Sequence, residues 1–446
     1  MAARNAPQIR TPLPGPLALK ILEKDNRYIS PSCTRAYPLV VKSASGMTVE
    51  DVDGNRFLDF TAGVAVTNTG HTHPDVVRAV QEQAGRFLHM AGSDFYYGVM
   101  ADLAEKLAGL VPGDFNKIVL FANSGTEAVE AAFKLTRHFT RRPRMLAFTG
   151  GFHGRTMGAL SLTASKPIQR RHFAPLVPEV THVPYAYCYR CPFGLEPESC
   201  ELACIRHIEN EVLGRYVPPE EVAAVVVEAI QGEGGCIVPP PGWLDALSQL
   251  ARKHGILLVL DEVQTGIGRT GKMFAVEHTN VEPDIVCLAK GLASGLPLGA
   301  MVARASLHTW ESGAHASTFG GNPVACAAAL ETLRLIQEGL AENAQRIGTT
   351  LLEGLRDIAS RHPIIGDVRG LGLLVGIEIV RNRESREPAP HLRNRIVQEC
   401  FTRGLLLLGA GDSTVRFCPP LVASAEDVTV ALGILDPVLA RVAAEA

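Results

Sequence analysis

Six short apolar runs place the first constraint on what this chain can fold into: Ile118–Phe121, Met145–Phe148, Ala223–Val227, Ile256–Leu260, Ile285–Leu288 and Leu298–Val302. Gly, Pro or acidic residues bound them, and helix-patterned stretches lie between. Apolar strands that alternate with helices predict a mostly parallel sheet buried on both faces, an α/β fold. Val99–Leu110 puts Leu103, Leu107 and Leu110 on one helical face and closes on Pro112-Gly113, and a second helix is expected over Thr126–His138. Met47–Val52 followed by Asp53-Gly54 reads as a hairpin. Pro323–Leu340 is helical in pattern. Beyond it, helices (Ala341–Ser360, His391–Arg403, Ala425–Val442) mix with strands (Leu373–Ile379, Leu405–Leu408). The expected organisation is an N-terminal segment over residues 1–70, a large sheet domain over 71–335 and a smaller α+β domain over 336–446, with the first segment packing beside the last.

Composition excludes several classes of function. The 43 basic and 46 acidic residues leave a net charge of −3, so no global positive field would hold a nucleic-acid backbone. No run approaches the roughly 18 apolar residues that cross a bilayer. Met1–Lys20 is Pro-rich and lacks the apolar stretch of a secretory signal. Ten Cys in 446 residues is not a disulfide-dense pattern. A cytoplasmic protein with mostly reduced thiols is the expectation.

Ligands of open α/β sheets sit outside the carboxyl ends of the strands, so the polar residues that follow each run carry the information. After Ile118–Phe121 come Ser124-Gly125-Thr126, which lead straight into a helix. Small residues there leave backbone N–H groups free at the positive end of the helix dipole, a cradle for phosphate, although such residues also serve as ordinary caps. Asp261 ends a strand with no cationic neighbour in sequence. A carboxylate so placed is costly unless something bonds to it; the plain alternative is a surface or capping Asp. Lys290 is the one lysine of ten that directly follows a buried-looking strand, and Leu292, Leu296, Pro297 and Leu298 surround it in sequence. Apolar surroundings depress a lysine pKa and make the amine available for Schiff-base chemistry; the alternative is a snorkelling surface lysine. Phosphate cradle, carboxylate for a pyridinium nitrogen and amine for an aldehyde together are what pyridoxal 5′-phosphate requires.

On these residues the chain resembles the class III pyridoxal-phosphate-dependent aminotransferases, the group of the 4-aminobutyrate and ornithine/acetylornithine enzymes. The resemblance runs from Asp51 to Phe417 and rests on NSGTEAVEAAFKLTR (123–137), GFHGRT (151–156), VEAIQGEGG (227–235), LDEVQTGIGRTG (260–271), AKGLASGLPLGA (289–300) and STFGGNP (317–323). It implies fold type I, a large sheet domain with a smaller α+β one. By the same resemblance Lys290 would form the Schiff base with the cofactor and shuttle the substrate proton. Asp261 would pair with the ring nitrogen and Gln264 with the 3-hydroxyl, next to Val263. Ser124, Gly125 and Thr126 would cradle the phosphate, Phe152 would stack on the ring, and His153 would stand beside it. Thr318 would reach the phosphate of a neighbouring subunit, so the unit would be a homodimer or larger. Glu228 would neighbour the cofactor; the family has Glu-Pro where this chain has Glu228-Ala229, which puts the local backbone in question.

The resemblance also implies a substrate side. Arg416 aligns with the arginine that grips an α-carboxylate, and Glu233 with the acid that pairs with it when the substrate carries none there. Arg155 aligns with the arginine that grips the distal carboxylate, against the plain reading of a surface ion pair. Val64 falls in a region that lines the substrate pocket. The function implied is amino transfer to 2-oxoglutarate, with 4-aminobutyrate the first-choice donor and ornithine or acetylornithine behind it. A racemase or epimerase of the same family is the alternative enzyme, and a non-catalytic cofactor carrier the alternative class.

Three further signals are discounted or left open. Gly266–Gly271 matches G-x-G-x-x-G, but Pro283 follows too soon for the long helix of a dinucleotide site. His71 and His73 read as loop-shaping residues. Cys188-x-x-Cys191 and Cys200-x-x-x-Cys204 allow unligated thiols, disulfides, a structural metal or a redox pair. No catalytic metal is expected.

Overall fold

Val222–Val227 is an unbroken apolar strand, buried at every residue, and it lies inside a seven-stranded sheet. The computed structural model describes residues 6–445; the outermost residues of the two terminal segments read above, 1–5 and 446, lie outside that range. In chain order β1 (Val41–Ser45), β2 (Thr48–Asp51) and β3 (Arg56–Asp59) form the N-terminal meander. They are followed by β4 (Lys117–Ala122), β5 (Arg144–Phe148), β6 (Val180–Val183), β7 (Val222–Val227), β8 (Leu257–Asp261), β9 (Ile285–Leu288) and β10 (Gly299–Arg304). The large sheet has the order β4-β10-β9-β8-β7-β5-β6. Neighbours from β9 to β6 are parallel, whereas β10 runs antiparallel to both β4 and β9. The run at Leu298–Val302 is thus the one reversed strand, because a short turn rather than a helical crossover returns the chain from β9.

Apart from Ala223 in β7, where the pairing with β5 shifts register, successive strand residues feed two different cores, as the two-residue period of a strand demands. Val225, Val227, Leu258, Leu260, Val286 and Leu288 pack into one core with Trp243 and Leu247. Ala224, Val226, Val259, Ile285 and Cys287 pack into the other with Ala128, Ala132 and Leu135 of the helix Gly125–Thr140. Burial on both faces explains why these runs show no polar alternation.

The C-terminal part adds β11 (Ile365–Leu371), β12 (Leu374–Ile379), β13 (Leu405–Leu406), β14 (Leu408–Ala410) and β15 (Thr414–Phe417). Strands β11-β12-β15-β14 form an antiparallel sheet, and β13 pairs in parallel with β3. The single strand expected at Leu405–Leu408 is therefore split between two sheets. Leu407 is the break: it is fully buried, and the Tyr37 hydroxyl takes its carbonyl. No helix among the described residues is long and apolar enough to cross a membrane.

Candidate active site

The carboxyl ends of β4, β5, β7, β8 and β9 converge on a cavity of about 580 Å³. Its walls bring together residues that lie far apart in sequence: Ser124, Gly125 and Thr126 after β4, Phe152, His153 and Arg155 after β5, Glu228 and Glu233 after β7. Asp261, Val263 and Gln264 at the end of β8, Lys290 after β9, and Val64 and Arg416 complete it. Thr318 is the one site residue expected from sequence that does not reach this cavity; it is exposed.

Ser124 caps the helix Gly125–Thr140 by accepting from the Glu127 N–H, and the first turn of that helix faces the cavity. A Cβ on Gly125 would lie 2.8 and 2.9 Å from the two Val263 methyls. Glycine is what lets the helix end press so closely on β8. Thr126 is fixed by Thr156, whose hydroxyl stands 2.7 Å from its own, while Glu130 accepts from Thr156 and from the Gly158 and Ala159 N–H groups. A helix N-terminus with small residues in a concave wall suits a phosphate.

Asp261 ends β8, as its sequence position led one to expect, and it is buried. Its Oδ2 meets His153 Nδ1 at 2.8 Å and its Oδ1 accepts from the Val263 N–H at 3.1 Å. Burial pulls the His153 pKa down, but the Asp261 hydrogen bond and charge outweigh it and leave the imidazole above its usual value. Glu228 lies behind Phe152: its two oxygens accept from the Phe152 and Gly232 N–H groups at 2.9 and 3.0 Å. Burial, with Asp261 nearby, pushes its pKa up to about 7 despite the opposing pull of His153. The Ala229 that replaces proline is buried, and the Tyr185 hydroxyl donates to the Glu228 and Ala229 carbonyls.

Lys290 opens a short turn with φ of 41° and gives its ammonium to Gln264 Oε1. Burial and then the Arg416 guanidinium hold its pKa below that of an ordinary lysine, against Asp261, Glu228 and Glu233. Gln264 Nε2 is buried without a protein partner. An amine with a depressed pKa, a buried carboxylate, an unpartnered amide and an anion-binding helix end are the donor set that pyridoxal phosphate needs, and the residues fit the group.

The two arginines expected from sequence on a substrate side both line the cavity. Arg416, on β15, is buried and meets Glu233 Oε2 at 3.5 Å; Glu233 Oε1 is also bound by Lys166 Nζ at 2.6 Å. Arg155 is exposed and stacks over the Phe152 ring, 5.1 Å from its centroid. Val64 stands at the rim in a left-handed turn, with φ of 70°, which is strained for a β-branched residue; the Thr61 hydroxyl accepting from Gly63 N–H helps hold it. Lys166 carried no motif of its own in the sequence, and only the fold reveals its contact with Glu233.

Gly266–Gly271 forms a loop whose Arg269 is buried against the Leu373 and Pro419 carbonyls, and only the short turn Ala275–His278 follows it. His71 bonds Asp59, and His73 accepts from the Asp75 N–H at the start of the helix Pro74–Ala84. Cys188, Cys191, Cys200 and Cys204 carry free thiols. Burial and the neighbouring thiols push Cys188 up to about 11. Among the described residues no group of three or more His, Cys, Asp or Glu is arranged to hold a metal ion.

Comparison with known proteins adds independent findings. The family model described as aminotransferase class-III matches residues 29–439. An alanine/serine racemase of Pyrococcus horikoshii is 40% identical over 96% of this chain and 92% of its own length. A probable 4-aminobutyrate aminotransferase of Bacillus subtilis is 38% identical over 93% of this chain and 96% of its own. An amine transaminase from an uncultivated Pseudomonas species, solved in its pyridoxal-phosphate-bound form, superposes with a TM-score of 0.86 at 31% identity, covering 93% of this chain and 98% of that one.

Proposed function

The chain is a pyridoxal-phosphate-dependent transaminase of the class-III aminotransferase family, and on that premise we propose that it moves an amino group from an ω-amino acid, 4-aminobutyrate first, to 2-oxoglutarate. The observation that carries this reading is the Glu233–Arg416 pair beside Arg155 on the same cavity as Lys290. One site must accept a donor with a single carboxylate and an acceptor with two. Arg155 suits the carboxylate common to both, since a guanidinium pairs with carboxylates bidentately. Arg416 suits the second, and Glu233 neutralises it when that carboxylate is absent.

Ser124, Gly125 and Thr126 would hold the cofactor phosphate, Asp261 the ring nitrogen and Gln264 the 3-hydroxyl. Phe152 and Val263 would supply the apolar walls, with His153 and Glu228 fixing Asp261 and Phe152 from behind. Bound there, pyridoxal phosphate supplies an electrophilic carbonyl carbon and an electron-accepting ring. Lys290 would tether the group, and its lowered pKa raises the share of neutral amine at Nζ. That amine would take the proton from the amine-bearing carbon of the donor and return it on the other side of the exchange. Asp261, oriented by His153, would keep a proton at the ring nitrogen.

The unit proposed is a homodimer or larger. Thr318 and Phe319 are exposed, and next to them Leu88 is exposed too, its carbonyl bonded to Asn322. An apolar patch at that edge is what a second copy would cover.

A panel of ω- and α-amino acids, ornithine and N-acetylornithine included, offered with 2-oxoglutarate and read as glutamate formed, tests the reading. Fastest turnover of 4-aminobutyrate is expected; no glutamate from any ω-amino acid would remove it. The similarity to the racemase supports a second reading, isomerisation of an α-amino acid with the same lysine. Catalytic appearance of the D-enantiomer from an L-amino acid, with no 2-oxo acid added, would favour it.

A further inference from the structure

Glu233 has two cationic partners, and the one that does not line the cavity holds it more closely. Lys166 Nζ stands 2.6 Å from Oε1, whereas Arg416 Nη1 stands 3.5 Å from Oε2. Lys166 begins the turn that follows the helix Met157–Leu162, so it reaches Glu233 from outside the cavity wall. Both side chains of the pair are about a quarter to a third exposed, while Arg416 is 5% exposed. Arg393 adds positive charge near Glu233, but its guanidinium donates to the Ala410 carbonyl at 3.4 Å.

We propose that Lys166 is the second seat of Glu233, the partner that receives its carboxylate when Arg416 has to bind a substrate α-carboxylate. The proposal rests on the roles given above to Arg416 and Glu233. Its physical basis is charge balance. With no α-carboxylate present, one carboxylate serves two cations. When an α-carboxylate arrives, Arg416 takes it and Lys166 keeps Glu233, so two cations face two anions. Without Lys166, every departure of Glu233 from Arg416 would strand a carboxylate in a partly dehydrated wall, and the pair would stay closed. Lys166 is therefore a positioning residue that sets how readily the site accepts a dicarboxylate.

The test measures equilibrium binding to the holoenzyme by calorimetry, with 2-oxoglutarate as the ligand that needs Arg416 and butanoate as one that does not. Lys166→Met is expected to raise the dissociation constant of 2-oxoglutarate about tenfold or more relative to that of butanoate, the scale of one charge-assisted hydrogen bond. Lys166→Arg is expected to restore the ratio. In a Glu233→Gln background the Lys166→Met effect is expected to vanish, because no carboxylate is left to be seated. Equal weakening of both ligands, or an effect that persists in the Glu233→Gln background, would overturn the proposal in favour of a merely structural lysine. A holoenzyme that shows the expected binding pattern but transfers no amino group would refute the proposed function and leave this inference standing.

Discussion

His153 and Asp261, separated by 108 residues in sequence, meet at 2.8 Å with both side chains almost fully buried. The imidazole is the only side chain bonded to this carboxylate among the described residues, so His153→Leu leaves a buried charge with only the Val263 N–H to answer it. The expected cost to the apoprotein is about 3–5 kcal/mol, read from urea denaturation. Because folding raises the His153 pKa, its contribution is complete below the unfolded value and is lost as pH rises through the higher folded one. The difference between parent and variant should therefore shrink with rising pH. A constant difference would show that the ion pair is not its source.

Glu228 should make stability fall with rising pH as well, but as an acid that the fold prefers uncharged. Its folded pKa of about 7 lies above the ordinary 4.5, so the fold favours the protonated acid. Stability is complete below the unfolded pKa and declines as pH climbs through the folded one, by up to about 3 kcal/mol. Glu228→Gln removes that decline and gives up one backbone hydrogen bond, worth about 1 kcal/mol. The apoprotein of the variant should show a flatter denaturation midpoint between about pH 5 and pH 8. An unaltered slope rules the carboxyl out as the cause.

Arg369 and Glu378 form a buried pair at 2.7 Å, and Arg369 also donates to the Gly235 carbonyl in the loop that carries Glu233. Arg369, along with hydrogen bonds from Thr414 and Arg190, overcomes burial and holds the Glu378 pKa at about 2. For this group stability is complete above the unfolded pKa and is lost as pH falls through the folded one. Glu378→Gln should cost about 3 kcal/mol at neutral pH, with the deficit closing as pH drops below the ordinary carboxyl range. The same variant should weaken 2-oxoglutarate binding, because the Glu233 loop loses its brace.

Arg155→Ala should raise KM for 2-oxoglutarate about 10- to 100-fold, the value of a charge-assisted bond, and KM for 4-aminobutyrate in parallel. Steady-state kinetics with each substrate varied would check it. An unchanged KM for both would return Arg155 to the role of a surface cation stacked on Phe152.

Lys290→Ala should slow transamination by more than about a thousandfold. Borohydride should fix the cofactor to the parent but leave it dialysable from the variant. Parental turnover in the variant would dismiss Lys290 as the acting amine.

The large sheet was legible because β7 and its neighbours are apolar on both faces, and an unbroken run such as VAAVVV has few other places to go. The site motifs were legible because each follows such a strand: Asp261 on β8, Lys290 after β9, Ser124-Gly125-Thr126 after β4. Ile365–Leu371 was not, since IGDVRGL mixes charge and glycine on a half-exposed strand. Nor could sequence join His153 to Asp261 or Lys166 to Glu233, because each pair is made by tertiary packing between distant segments. The reversal of β10 was hidden for the same reason: direction depends on the length of the connection, and the apolar pattern is identical either way.

The cradle at Gly125 and the amine at Lys290 hang from opposite flanks of β10, on β4 and β9. Strand β10, which follows both in sequence, is what joins the two halves of the binding cleft, and a sheet that lacks it does not hold them together. Capture of the cofactor should thus be among the last events of maturation, and its saturating presence should protect the whole sheet at once by mass action rather than a single loop.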